Sequence, residues 1–143
     1  MIEDIEAGID IAASPGRVWA ALTGEGLVET WLGCLQFRAQ AGHIFYMQPD
    51  ADKRAAGDTG GATHCQIEGM YPPSRFVFSW YYPETPKTRV EIVLTEIPGG
   101  TQVTLRHTGW KQFDAEQIRA IRDGLAGGWT SYVLPDLKRV AEA

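Results

Sequence analysis

Two periodicities of apolar residues take turns along the chain, and they divide it into elements. Ile9 and Ile11 alternate with their neighbours over residues 8–12, which predicts a strand. Ser14 then stands where a helix N-cap is wanted, and Pro15 where the first turn needs no backbone donor. Val18, Ala21 and Leu22 give that helix an apolar face, with Trp19 at its side, and Gly24 ends it. Leu27, Val28, Trp31 and Leu32 form a second, shorter helical stripe closed by Gly33. Segments 35–39 and 43–48 read as a hairpin turning at Gln40, Ala41 and Gly42. Residues 49–61 are polar and glycine-rich and read as a mobile loop. Strands follow over 62–71, 75–82, 89–97 and 101–108, the last two joined by a Pro-Gly-Gly turn. From Asp114, a capping residue, apolar positions recur every three to five residues from Ile118 to Val140, one long amphipathic helix. Gly124, Gly127 and Gly128 each weaken it by up to about 1 kcal/mol, and Pro135 is expected to kink it.

The order is strand, two short helices, six strands and a long helix, with neither an internal repeat nor a linker. Antiparallel hairpins with segregated helices predict an α+β fold, drawn as one domain over residues 1–143. A long helix with one apolar stripe must lie on the apolar face of the sheet. If the sheet curves around that helix, a hollow is left between them.

Composition narrows the function. The 143 residues are 44% apolar and 22% charged, with a formal net charge of -5. That is a globular composition, and its acidic excess argues against nucleic acid or an anionic membrane as partner. No apolar run is long enough to span a membrane, and the first residues are acidic where a secretion signal is basic. A cytoplasmic location is therefore expected. Cys34 and Cys65 form no CxxC, and the histidines do not cluster, so no metal site is expected and both thiols read as small buried hydrophobes.

Strand phase sorts the side chains. Phe76, Phe78 and Trp80 share an inward face, as do Val90, Ile92 and Leu94, then Val103, Leu105 and His107. Cys65, Ile67 and Tyr71 share the inward phase of their strand, opposite His64, Glu68 and Met70. Neighbours on a strand point to opposite faces, so His64 and Cys65 do not make a nucleophilic dyad. Glu91 and Arg106 are placed to pair on the outer surface. His107 ends an inward row near Trp110 and is the most suggestive titratable residue. It is either a polar anchor or acid/base group in an apolar pocket, or a strand-end histidine with its tip in solvent. Tyr71 offers a hydroxyl to a ligand carbonyl, against the plainer reading of a buried ring with a wet hydroxyl. Trp19 reads as core. Trp31, Trp80, Trp110 and Trp129 are candidates for a pocket wall, and the glycines before Trp129 suggest either a close backbone approach or room for a ligand.

Three motifs carry a family resemblance: SPGRVWAALTGEGLVETWLG, GGTQVTLRHTGW at 99–110, and GWTSYVLPDLKRV at 128–140. Taken in order, they resemble the family of the activator of Hsp90 ATPase, within the START/Bet v1-like superfamily, over nearly the whole chain. The resemblance implies a helix-grip fold. A curved seven-stranded antiparallel sheet surrounds a long C-terminal helix, with two short helices between strands 1 and 2 and a cavity between helix and sheet. Gly16, the glycines before Trp129, and Pro135 depart from the family pattern.

The implied function is binding of a small apolar or aromatic ligand by Trp31, Cys65, Ile67, Tyr71, Phe78, Trp80, His107, Trp110 and Trp129, with no cofactor. The alternatives are a polyketide cyclase or hydrolase in the same cavity, with His107 and Tyr71 as catalytic candidates, and a co-chaperone-like interaction module. A homodimer is compatible with the sequence. An Hsp90-type partner is not expected, because the founding co-chaperone uses a separate N-terminal domain that has no counterpart here.

Overall fold

The computed structural model describes residues 2–143, so the 1–143 domain span begins one residue outside it. β1 (Ile5–Ile11) leads into α1 (Pro15–Thr23) and α2 (Val28–Trp31). β2 (Cys34–Leu35), β3 (Ile44–Met47), α3 (Ala51–Ala55), β4 (Thr63–Tyr71), β5 (Arg75–Tyr81), β6 (Thr88–Ile97) and β7 (Gly100–Thr108) follow. A 3₁₀ turn (Trp110–Gln112) then delivers the chain to α4 (Ala115–Gly128). The strands form one antiparallel sheet in the order β1-β7-β6-β5-β4-β3-β2.

That order explains the two short helices. β1 and β2 are opposite edges of the sheet, about 29 Å apart if seven strands lay flat. The nine and four residues of α1 and α2 span about 20 Å as helix, and the short segments flanking them carry the chain the rest of the way to the far edge. The sheet is curled, and the long C-terminal helix lies along its trough. Ser14 caps α1 as expected, its hydroxyl accepting from the Arg17 amide at 3.3 Å. Inward rows from four strands build the core. Cys65, Ile67, Phe76, Phe78, Val90, Ile92, Val103 and Leu105 are all at most 3% exposed.

Four expectations change. The register slips between Ile67 and Gly69, where Glu68 is an extra residue against β5. Beyond that bulge the phase inverts. Met70 turns inward opposite Phe76, and Tyr71 turns outward, 53% exposed, with its ring over Gly69 and beside Arg75. Residues 49–61 are not a bare loop. Asp50 caps α3 by accepting from the Asp52 and Lys53 amides. Gln48, 3% exposed, staples the segment, donating to the Asp58 and Gly60 carbonyls and accepting from the Asp50 amide. The stretch predicted at 35–39 pairs only at Cys34 and Leu35, because Gln36 takes a positive φ of 61° and turns the chain away. Glu91 and Arg106 lie opposite in register, yet Glu91 pairs with Arg75 and Arg106 with Asp4 and Glu6.

The C-terminal helix runs continuously from Ala115 to Glu142, α4 passing through a π turn (Trp129–Val133) into α5 (Leu134–Glu142). Around Pro135 the helix changes its hydrogen-bond step but is not interrupted. The Leu134 amide reaches back to Trp129 in a five-residue step, and this wider turn sets Pro135 in the first turn of α5, where its missing donor is not needed. A Cβ added at Gly124, Gly127 or Gly128 would meet nothing within 4 Å, so no backbone packs against these glycines. Gly127→Ala is accordingly expected to raise unfolding stability, by up to about 1 kcal/mol in a urea titration, with no change in fold.

Candidate functional site

Where α4 crosses the end of the sheet, the trough is not filled. An apolar hollow of about 170 Å³ lies between α4, the 3₁₀ turn and the β5–β6 connection, walled by Trp80, Tyr82, Trp110, Phe113, Ile121 and Leu125. A second hollow, about 360 Å³, continues on the far side of Trp80 toward β3 and α3, past Leu32, Met47, Gln48 and Arg54. Trp80, Tyr82 and Leu125 belong to both, so the two form one groove partitioned by those side chains. Its rim carries large apolar groups in contact with water: Ile121 is 55% and Tyr82 49% exposed.

The floor beneath Trp80 is rigid and polar at one point. The Trp80 ring meets Trp129 edge-on at 5.4 Å and His107 at 5.7 Å, and His107 lies 4.6 Å from Trp110. The Trp129 indole N–H donates to His107 Nδ1 at 3.2 Å. An indole can only donate, so Nδ1 carries no proton and the neutral ring holds its proton on Nε2. Nε2 donates to Thr88 Oγ1 at 2.8 Å, and that hydroxyl donates onward to the Trp80 carbonyl, also at 2.8 Å. The Trp110 indole donates to the His107 carbonyl at 3.0 Å. The imidazole is fully buried, and burial pushes its pKa down from 6.5 to about 3. His107 therefore has no solvent-exposed tip. It is a neutral linchpin with both nitrogens engaged.

Of the other residues singled out in the sequence, Trp80 and Trp110 face the groove, and His107 and Trp129 stand directly behind them. Cys65, Ile67 and Phe78 point inward but are sealed in the core, each at most 3% exposed. Trp31 is buried against α1, its indole donating to the Ala21 carbonyl at 2.8 Å, and does not reach the groove. Tyr71 lies on the opposite surface. His64 sits on the outer face between Tyr46 and Tyr81, away from Cys65. Burial raises the Cys34 pKa to about 12 and that of Cys65 well above its ordinary value, so neither thiol is a nucleophile at neutral pH.

Sequence reasoning missed Thr88, Leu125, Ile121 and Arg54, and weighed Tyr82 only as a hydroxyl candidate. Ile121 and Leu125 were within the helical stripe, but a stripe does not say which of its members the sheet leaves uncovered. Arg54 sat in a segment read as mobile. Among the described residues no group of three or more His, Cys, Asp or Glu is placed to hold a metal, and no helix is long and apolar enough to cross a membrane.

Residues 12–142 match the family described as activator of Hsp90 ATPase homolog 1-like protein. No curated protein matches the chain. Among solved structures, a protein from Mesorhizobium loti is similar, at 25% identity over 98% of this chain and 94% of its own, with a TM-score of 0.73. The Aha1 dimer from Colwellia psychrerythraea shares the fold at 18% identity, 99% and 97% coverage and a TM-score of 0.72. DynU16, from the dynemicin biosynthetic locus, shares it at 19% identity and a TM-score of 0.76, over 100% of this chain and 48% of that one.

Proposed function

Because the chain belongs to the activator of Hsp90 ATPase homologue 1-like family, we propose that it is a small-molecule binding protein, its apolar or aromatic ligand lying in the groove between the C-terminal helix and the sheet. The observation that carries this reading is the conjunction of a concave apolar wall with exposed large hydrophobics at its rim. Such surface is costly to leave wet, at about 25 cal/mol per Å², and a flat aromatic body would cover it. The Trp129–His107–Thr88 chain supports the reading by holding the wall in one conformation, which reduces what binding must order. It also favours binding over turnover. A cyclase or hydrolase needs a group able to exchange protons near neutral pH, and the inward histidine is neutral there with both nitrogens occupied.

The test is a titration with 2-naphthamide, a neutral aromatic probe, followed by the indole N–H signals in NMR. The Trp80 and Trp110 signals are expected to shift saturably. Leu125→Glu, which sets a carboxylate in the groove from a half-buried helix position, is expected to weaken binding at least about tenfold while circular dichroism stays native. Unmoved indole signals in the wild type would overturn the proposal.

A further inference from the structure

We infer that the ligand is an amphipathic anion: its aromatic or aliphatic body occupies the groove, and a carboxylate head pairs with Arg54. The inference rests on the groove being a binding site and assigns the head group it selects. Arg54 projects from α3 into the larger hollow, which it shares with Trp80 and Leu125, and it is half-buried there. Its Nη1 donates to the Gln48 carbonyl at 2.6 Å, which anchors the guanidinium. The edge formed by Nε and Nη2, two parallel N–H groups, makes no hydrogen bond among the described residues. That edge is the fork that a carboxylate accepts in bidentate geometry.

No described residue supplies an anion within ion-pairing distance of Arg54. Arg75, Arg89, Arg106, Arg122 and Arg139 each have a carboxylate within 4.0 Å, whereas Arg54, like Arg38 and Arg119, has none among the described residues, and of these three only Arg54 lines the groove. None of the acids on the same segment, Asp50, Asp52 and Asp58, comes within 4.0 Å of the guanidinium, and Asp52 is exposed. Asp50 accepts from two backbone amides at the start of α3, and Asp58 accepts from the Gly60 amide at 2.8 Å. The segment is itself fixed to the sheet by Gln48, so the guanidinium is held at the mouth rather than swinging in solvent. The chain as a whole carries a net charge of -5, which disfavours anions in general. A preference for an anionic ligand would therefore report a local cation, and Arg54 is the cation lining the groove.

Two probes of nearly equal shape separate the head group from the body: 2-naphthoate and 2-naphthamide. In the wild type, naphthoate is expected to bind about tenfold more tightly than the amide, with the advantage shrinking as salt is raised. Arg54→Gln is expected to bring naphthoate down to the amide's affinity while leaving the amide within about twofold, which also shows that the groove is intact. Arg54→Lys, which keeps the charge and loses the fork, should fall between them. Equal binding of both probes by the wild type, or a preference that survives in Arg54→Gln, overturns the head-group assignment and leaves the groove standing. Absence of binding by either probe, with the Trp80 indole signal unmoved, overturns both.

Discussion

Trp129→Ala is expected to lower unfolding stability by about 5 kcal/mol, enough to leave much of the protein unfolded at 37 °C. Two costs combine. Removing a tryptophan that is 3% exposed and wedged against Trp80 and His107 leaves a cavity, worth about 3–5 kcal/mol. It also takes the donor from His107 Nδ1, which then sits buried without a partner, at about 1–3 kcal/mol. Helix propensity favours alanine by only a few tenths of a kcal/mol and does not offset this. Against a typical total of about 5–15 kcal/mol, the loss is decisive. Trp129→Phe separates the terms. It keeps most of the ring and forfeits the N–H, so about 1–3 kcal/mol is expected. Urea unfolding followed by circular dichroism measures both. A loss below about 2 kcal/mol for the alanine variant would mean that the floor of the groove is not the packed unit described above.

The parts of the structure that were legible in the sequence follow from local rules. Period-two alternation placed Phe76, Phe78 and Trp80 on one face because nothing interrupts β5. The same rule failed one strand earlier, where a single extra residue at Glu68 inverted everything beyond it and carried Tyr71 to the outside. Nothing in the local sequence announces that bulge except Gly69, whose missing side chain makes room for the Tyr71 ring. The segment at 49–61 failed for a different reason. Its composition is that of a loop, and its order comes from Gln48, a residue outside it whose side chain is a tertiary rather than a local feature. Pro135 was readable as a disturbance of the helix, but the π turn that precedes it was not: it begins at Trp129, whose indole bond to His107 is a tertiary contact.

The candidate site was half legible for the same reasons. The inward phase of Trp80 and His107 is a property of two strands, and the apolar stripe from Ile118 to Val140 marked the helix that covers them. Which residues stay uncovered is a property of the sheet's curvature, and no spacing along the chain encodes it. Leu125 and Leu137 occupy the same apolar stripe. One lines the groove, whereas the other is 1% exposed in the core, because only the first lies beyond the end of the sheet.

The buried histidine predicts a pH dependence of definite sign. Its folded pKa is about 3 against 6.5 unfolded, so between those values the unfolded chain binds a proton that the folded protein excludes. Stability is thus insensitive to this group above about pH 7 and falls as the pH drops through 6.5, continuing down to about pH 3. Between pH 7 and pH 5 the loss amounts to about 2 kcal/mol. The cause is burial alone: the side chains around the ring are those of Trp80, Thr88, Trp110 and Trp129, and none carries a charge that would stabilise imidazolium. Protonation at Nδ1 would also set N–H against the indole N–H of Trp129, breaking the bond that holds the π turn to the sheet. Glu142 contributes in a separate range. Its pKa is lowered by the Lys138 ammonium and the Ala12 amide, so its share is lost only as the pH falls below about 4.5. His107→Gln isolates the histidine. Its amide can accept from Trp129 and donate to Thr88 without titrating, so its stability between pH 7 and pH 5 should lack the 2 kcal/mol fall, approximately, whatever its starting value. Urea titrations of both proteins at the two pH values decide the matter. An equal fall in both would mean that His107 is protonated in the folded state, and that the Trp129–His107–Thr88 chain is not what stiffens the wall of the groove.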